Sequence, residues 1–142
     1  MISIDKALPL PNLSSLNSSQ IAIKVNPEGG FFAYLDFFQS HTLDHKNVEL
    51  GIDRLTQDFP KTNLSFSGWV GFFGYEFLAS HLGLNLQAKR DLNIPDGWFG
   101  RPQTIIHLLP NQTKIESSLP QRASVIAKTL EFSTIHNLNK VE

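Results

Sequence analysis

The hydrophobic positions change period along the chain, and the changes divide it into segments. Residues 20–25 alternate, with Ile21, Ile23 and Val25 on one face, which is the period of a half-buried strand and predicts one at a sheet edge. Asn26 and Pro27 offer an N-cap and a first-turn proline, with Gly29 and Gly30 delaying the helix to Phe31. From there to Gln39, Phe31, Tyr34, Leu35 and Phe38 fall at helical spacing and predict a helix with an aromatic stripe. Val48, Ile52, Leu55 and Phe59 repeat the helical period, so a second amphipathic helix is expected to end before Pro60 and to form one layer with the first.

Residues 66–77 interrupt this pattern with apolar and aromatic side chains interleaved with Gly68, Gly71 and Gly74. The run is too short for a membrane span, and each glycine disfavours a helix by about 1 kcal/mol relative to alanine. A curved, buried strand over 68–75 is expected, covered on both faces and crossed tightly where the glycines lie, with Tyr75 mostly buried. Residues 76–81 read as a short helix ending at Gly83, 85–93 as a polar loop, and Pro95, Asp96 and Gly97 as a turn. Alternation over 104–109 and 114–117 around Pro110 predicts a hairpin. Pro120 then opens a helix with Ala123, Ile126, Ala127 and Leu130 on its apolar stripe and Glu131 on its polar side. Residues 1–19, with Pro9, Pro11 and a Ser/Asn-rich stretch, read as an extended, partly mobile arm in front of a single domain over 20–142. These switches of period predict an α+β fold in which antiparallel sheet layers pack with helices.

Composition narrows the function classes. The chain has 142 residues, which suits one domain with a real core. Its 12 Lys+Arg against 13 Asp+Glu leave a formal charge of −1, and the basic residues are scattered, so no nucleic-acid footprint is present. It contains no cysteine, which removes disulfides and thiol chemistry. Residues 1–20 lack a basic start followed by an apolar core, so the reading is a soluble, cytoplasmic protein without a membrane segment.

Candidate chemistry is sparse. The three glycines match neither the Walker pattern nor Gly-x-Gly-x-x-Gly, so packing is preferred to phosphate binding. His41 and His45 are spaced to share a helix face as metal ligands, but no third ligand follows in recognisable spacing, and a solvated helix end is preferred. His81 and His107 read as hydrogen-bonded core residues, and His136 carries no role. Ser67 lacks the setting of an exposed nucleophile. Asp91 and Asp96 offer paired carboxylates for acid–base work, although turn formation and capping explain them more simply. Glu76 reads as the start of a short helix, where its charge suits the N-terminal dipole.

The segment Ser67-Gly-Trp-Val-Gly-Phe-Phe-Gly-Tyr-Glu76, followed by Asp91 and Ile94-Pro-Asp96, resembles the N-terminal domain of component I of the chorismate-utilising synthases. That family includes aminodeoxychorismate synthase, for para-aminobenzoate, and anthranilate synthase. Its pattern is roughly Pro-Phe-x-Gly-Gly-x-x-Gly-Tyr-x-Gly-Tyr-Asp/Glu, then an acidic residue and Pro-Asp. Here Leu64-Ser65 stands in place of Pro-Phe, Ser67 in place of the first glycine and Phe72 in place of the first tyrosine. The matching positions are Gly68, Gly71, Gly74, Tyr75, Glu76, Asp91, Pro95 and Asp96, all with architectural roles.

The resemblance implies no catalytic residue, cofactor or metal ligand in this chain, because chorismate and magnesium belong to a C-terminal domain that nothing in these residues resembles. It implies as partners a chorismate-binding catalytic domain and a glutamine amidotransferase subunit. The Leu-Leu-Glu-Ser element through which anthranilate synthases bind feedback tryptophan is missing. That places the expectation in the aminodeoxychorismate branch, in folate biosynthesis. The alternatives are the N-terminal domain of an anthranilate synthase component I, in tryptophan biosynthesis, and a stand-alone interaction module.

Overall fold

The structure is a computed structural model that describes residues 1–18, 20–57, 61–83 and 95–140, with backbone alone from residue 133 onward. It is an α+β fold. A six-stranded antiparallel sheet comprises β1 (Ile2–Ile4), β2 (Ala22–Val25), β3 (Phe31–Leu43), β4 (Val70–Phe73), β5 (Gly97–Leu108) and β6 (Thr113–Ser117). The strands run β1-β6-β5-β3-β2, and β4 also pairs with β5. The helices are α1 (Val48–Thr56), α2 (Tyr75–His81) and α3 (Arg122–Lys140). Strand β5 organises the sheet. Its first half pairs with β4 through Val70↔Gly100 to Phe73↔Gly97, and its second half pairs with β6 through Thr104↔Ser117 to Leu108↔Thr113. Along its whole length it pairs with β3.

The expected helix over 31–39 is instead the start of the 13-residue strand β3. Gly29 and Gly30 have φ of +113° and +83°, values open to glycine, and with Asn26 they close a hairpin between β2 and β3. Asn26 N–H donates to the Gly30 carbonyl and Gly29 N–H to the Asn26 carbonyl, both at 3.0 Å. Asn26 and Pro27 therefore turn a hairpin and start no helix. The aromatic residues that imitate a helical stripe favour a strand as readily. Ala33, Tyr34 and Leu35 are buried in succession, so both faces of the strand are apolar and show no alternation, and a β-bulge between Phe37 and Gln39, with Asp36 at φ +57°, shifts the register after them. The anticipated two-helix layer consequently does not form, and α1 packs on β3 and α2.

Residues 1–18 are no arm. Strand β1 pairs with β6, and a 3-10 turn over Leu10–Ser15 packs against α3. Leu8, Leu13 and Leu16 are buried with Ile4, Ala33, Leu35, Ile106, Leu108, Ile115, Ile126 and Leu130 in the main core. The stripe Ala123, Ile126, Ala127 and Leu130 faces this core as expected, and Glu131 is exposed. The hairpin over 104–117 forms as read, with β5 starting earlier, at Gly97.

On β2, Ile23 and Val25 are exposed, so this edge strand does not bury the face its alternation marked. The second helix begins at Val48 as read, and its expected end at Phe59 lies outside the described residues, as does the expected loop over 85–93. Among the described residues no helix is long and apolar enough to cross a membrane.

Candidate functional site

The glycine-rich stretch folds into β4, a turn at Gly74 and α2, and it is not the buried strand, covered on both faces, that was expected. Among the described residues strand β4 pairs only with β5, and Phe72 and Phe73 are each more than two-fifths exposed. The tight crossing is real, but it comes from the neighbouring strand and not from a second layer. A Cβ on Gly71 would overlap the Trp98 carbonyl oxygen and lie 2.7 Å from Phe99 Cα. One on Gly74 would sit 2.5 Å from the Asp96 carbonyl oxygen, which accepts the Gly74 N–H. Gly68 is different in kind, since its Cβ would meet only the Phe66 ring, at 3.2 Å.

Tyr75 is 74% exposed, against the expectation of burial. It opens α2, whose inward positions are taken by Phe77 and Ala79. Phe77 is 1% exposed and stacks on Phe73, and its ring faces Gly51 of α1. Helix α2 ends near Gly83 as read, and His81 in its last turn is exposed instead of buried.

Glu76 lies in the first turn of α2, as expected, and also points at His45, with Oε2 3.8 Å from the imidazole Nδ1. Asp96 is 5% exposed, and its Oδ2 accepts the His45 backbone N–H at 2.8 Å and lies 2.6 Å from His45 Nδ1. Asp44 Oδ1 is 3.8 Å from the same nitrogen. Three carboxylates from separate chain segments thus surround one imidazole. Pro95 is exposed beside them, and Asp91 lies outside the described residues. His41 and His45 share no helix: His41 is on β3 and His45 in a 3-10 turn over His45–Asn47.

His41 packs its ring on Trp69 at 5.2 Å, and Arg101 lies over the same indole at 4.3 Å. Burial and the nearby Arg54 and Arg101 charges hold the His41 pKa below its ordinary value. Phe66 and Trp69, which precede β4, and Tyr34, Phe72, Trp98 and Phe99 of the sheet line an open cleft of about 950 Å3 that the β2 edge also borders.

A further polar cluster escaped the sequence reading. His107 was expected as a hydrogen-bonded core residue, and its Nε2 lies 2.6 Å from Glu116 Oε2. Ser65 Oγ donates to the same oxygen at 2.5 Å, and Ser65 N–H donates to Oε1 at 2.6 Å. The signal was available in the hairpin register. With Lys114 opposite His107, Glu116 falls diagonally across from His107 on the same face.

Burial raises the Glu116 pKa, but the Ser65 and His107 hydrogen bonds outweigh it and hold the carboxyl below its ordinary 4.5. A depressed carboxylate stabilises the fold above its unfolded value, and that stabilisation is lost as pH falls through the folded value. Glu116→Gln is therefore expected to lower the urea midpoint at pH 7, and the gap to wild type should narrow progressively as pH falls below the ordinary carboxylate value of 4.5. A gap that stays constant from pH 7 to pH 3 would refute the assignment.

Fold and site together define an α+β domain whose glycine motif is built into strand and helix junctions and whose polar clusters brace loops onto a sheet. Comparison with protein-family models, with curated proteins and with solved structures gives no match.

Proposed function

We propose that this chain is the non-catalytic N-terminal domain of a component I of an aminodeoxychorismate synthase, in the cytoplasm, on the para-aminobenzoate branch of folate biosynthesis. Its fold is then the N-terminal part of the chorismate-utilising synthase fold. Its partners are a chorismate-binding catalytic domain, which carries the magnesium, and a glutamine amidotransferase subunit. The reading rests on the sequence resemblance at Gly68, Gly71, Gly74, Tyr75, Glu76, Asp91, Pro95 and Asp96.

One structural observation carries it further. In the segment with the resemblance Phe72 is 44%, Phe73 43% and Tyr75 74% exposed, and just beyond it Leu78 is 43% and Leu82 73% exposed. Tyr75, Leu78 and Leu82, at i, i+3 and i+7 through α2 and its C-terminal end, fall on one face of the helix, and exposed apolar side chains grouped in this way suit an interaction site. A domain that works packed against a catalytic domain requires one.

The test mixes the chain with the catalytic C-terminal domain of an aminodeoxychorismate synthase component I, followed by size-exclusion chromatography and a chorismate assay with ammonia. Co-elution is expected, with turnover only when the catalytic domain is present. Turnover by the chain alone would overturn the non-catalytic assignment. Failure to co-elute would overturn the synthase reading in favour of a stand-alone interaction module. Co-elution with an anthranilate synthase catalytic domain alone would move the chain to the tryptophan branch.

A further inference from the structure

We propose that the aromatic cleft beside β2 and β4 binds a small aromatic monocarboxylate, a ligand with a flat ring and an acid group but no ammonium group. The proposal does not rest on the synthase reading, and it concerns the face of the sheet opposite the main core.

Strand register builds that face. Ala22 lies opposite Tyr34 and Lys24 opposite Phe32, so these four side chains share one face and Lys24 is diagonal to Tyr34. Ala33 and Leu35 alternate with Tyr34 and belong to the main core on the other side. The Tyr34 ring meets Phe66 edge-on at 5.9 Å, and Phe66, Trp69 and Trp98 continue the wall of the cleft from the loop before β4 and from β5. The volume of about 950 Å3 is that of a small-molecule pocket, and aromatic walls with a few polar groups are the lining such pockets use.

Two polar groups define what the ligand carries. Tyr34 lines the cleft and is 5% exposed, and among the described residues its hydroxyl has no hydrogen-bond partner. Buried polar groups are ordinarily paired, so this hydroxyl is short of an acceptor. Burial holds its pKa above the ordinary 10.0, and at neutral pH it is a proton donor. Lys24 also lines the cleft, is exposed, and has no carboxylate partner among the described residues. Diagonal positions on neighbouring strands lie within reach of long side chains, so one carboxylate between Lys24 and Tyr34 satisfies both.

The charges around the cleft exclude an aromatic amino acid. Among the described residues no Asp or Glu lines it. Glu116 shares the face, in one row with Ile105 and Tyr34, but its carboxylate is engaged by Ser65 and His107. Arg101 lies over the Trp69 ring and adds positive charge nearby. An ammonium group would enter this site with no partner of opposite charge, which costs free energy that an acid without one does not spend.

The two tryptophans of the chain, Trp69 and Trp98, both line the cleft, so tryptophan emission reports on it directly. The experiment titrates the intact chain with phenylpropanoate, followed by tryptophan emission and by calorimetry. One saturable site is expected, with an emission change that tracks the heat. L-Phenylalanine, the same skeleton with an ammonium group, and phenylpropanol, which lacks the acid, should each bind at least about tenfold more weakly. Tyr34→Phe should keep the wild-type urea midpoint, because the hydroxyl bonds nothing among the described residues, and should weaken phenylpropanoate binding about tenfold. Lys24→Gln, at an exposed position, should weaken it about threefold and remove most of its salt dependence. No saturable binding, or binding without an emission change, would overturn the proposal. So would L-phenylalanine or phenylpropanol binding as tightly as the acid, or variants that bind it as the wild type does.

Discussion

Replacing Gly71 with valine is expected to destabilise the domain by about 3 kcal/mol, near the upper end for overpacking. The first carbon of any side chain there would meet backbone, at the Trp98 carbonyl and Phe99 Cα, and backbone cannot rotate away. Relief requires β4 to separate from β5, which breaks the ladder from Val70↔Gly100 to Phe73↔Gly97. That separation would also loosen the stacking of Phe73 on Phe77, which anchors α2. Gly68→Ala is the control, because its Cβ would meet only the ring of Phe66, which is 37% exposed and free to swing outward. Its free energy of unfolding in urea should stay within about 0.5 kcal/mol of wild type. Equal midpoints for Gly71→Val and wild type would show that β4 is not held against β5 in the manner described.

The second large effect is at Asp36. Its carboxylate accepts Arg122 Nε at 2.9 Å and Nη2 at 3.2 Å, and Thr104 Oγ1 at 2.5 Å, fastening the start of α3 to the bulge in β3. Asp36→Ala leaves the guanidinium without these acceptors and the fully buried Thr104 with only Ser117 Oγ as a side-chain partner. Arg122 is 21% exposed at its side chain, so water takes up part of the deficit. The full penalty for a broken buried pair, 3–5 kcal/mol, is therefore reduced to about 2. Alanine at φ +57° adds about 1 kcal/mol, because aspartate tolerates the left-handed region better. The expected total is about 3 kcal/mol in a denaturation experiment. Asp36→Asn, which keeps the backbone preference and an acceptor for Thr104, should lose about half as much. If the two variants lost equal stability, the backbone conformation would carry no part of the effect.

How much was legible differs from one segment to the next. The hairpin of β5 and β6 and the helix from Pro120 were readable, because period and turn residues agree there and the neighbours are close in sequence. Residues 31–39 misled for a definable reason. Phe31, Tyr34, Leu35 and Phe38 satisfy a helical count because residues 31–35 are apolar on both faces of the strand, with Ala33, Tyr34 and Leu35 all buried, so no alternation of apolar and polar positions shows. The glycines and positive φ of a tight hairpin were present at Gly29 and Gly30, and that signal outranks spacing.

At the candidate site, Asp96 and Glu76 were singled out, but as separate caps. Nothing local indicates that they meet at His45, which lies 51 residues before Asp96. Tyr75 failed for the same reason. Aromatic character says that a side chain is worth burying, and the way α2 lies on the sheet decided that Phe77 is buried and Tyr75 is not.

From the sequence alone came what short-range chemistry controls: the α+β class, the breaks at glycine and proline, the apolar stripe of α3, and the need for a residue without a side chain at Gly71. Only the tertiary structure decided which strand lies at the centre of the sheet. It also drew residues 1–18 into the core, left Phe72, Phe73 and Tyr75 largely uncovered, and assembled three carboxylates around His45. The division follows the physics. Backbone preference and turn chemistry act over a few residues, whereas strand order and the meeting of charged groups depend on pairings between distant segments, which only the packed chain selects.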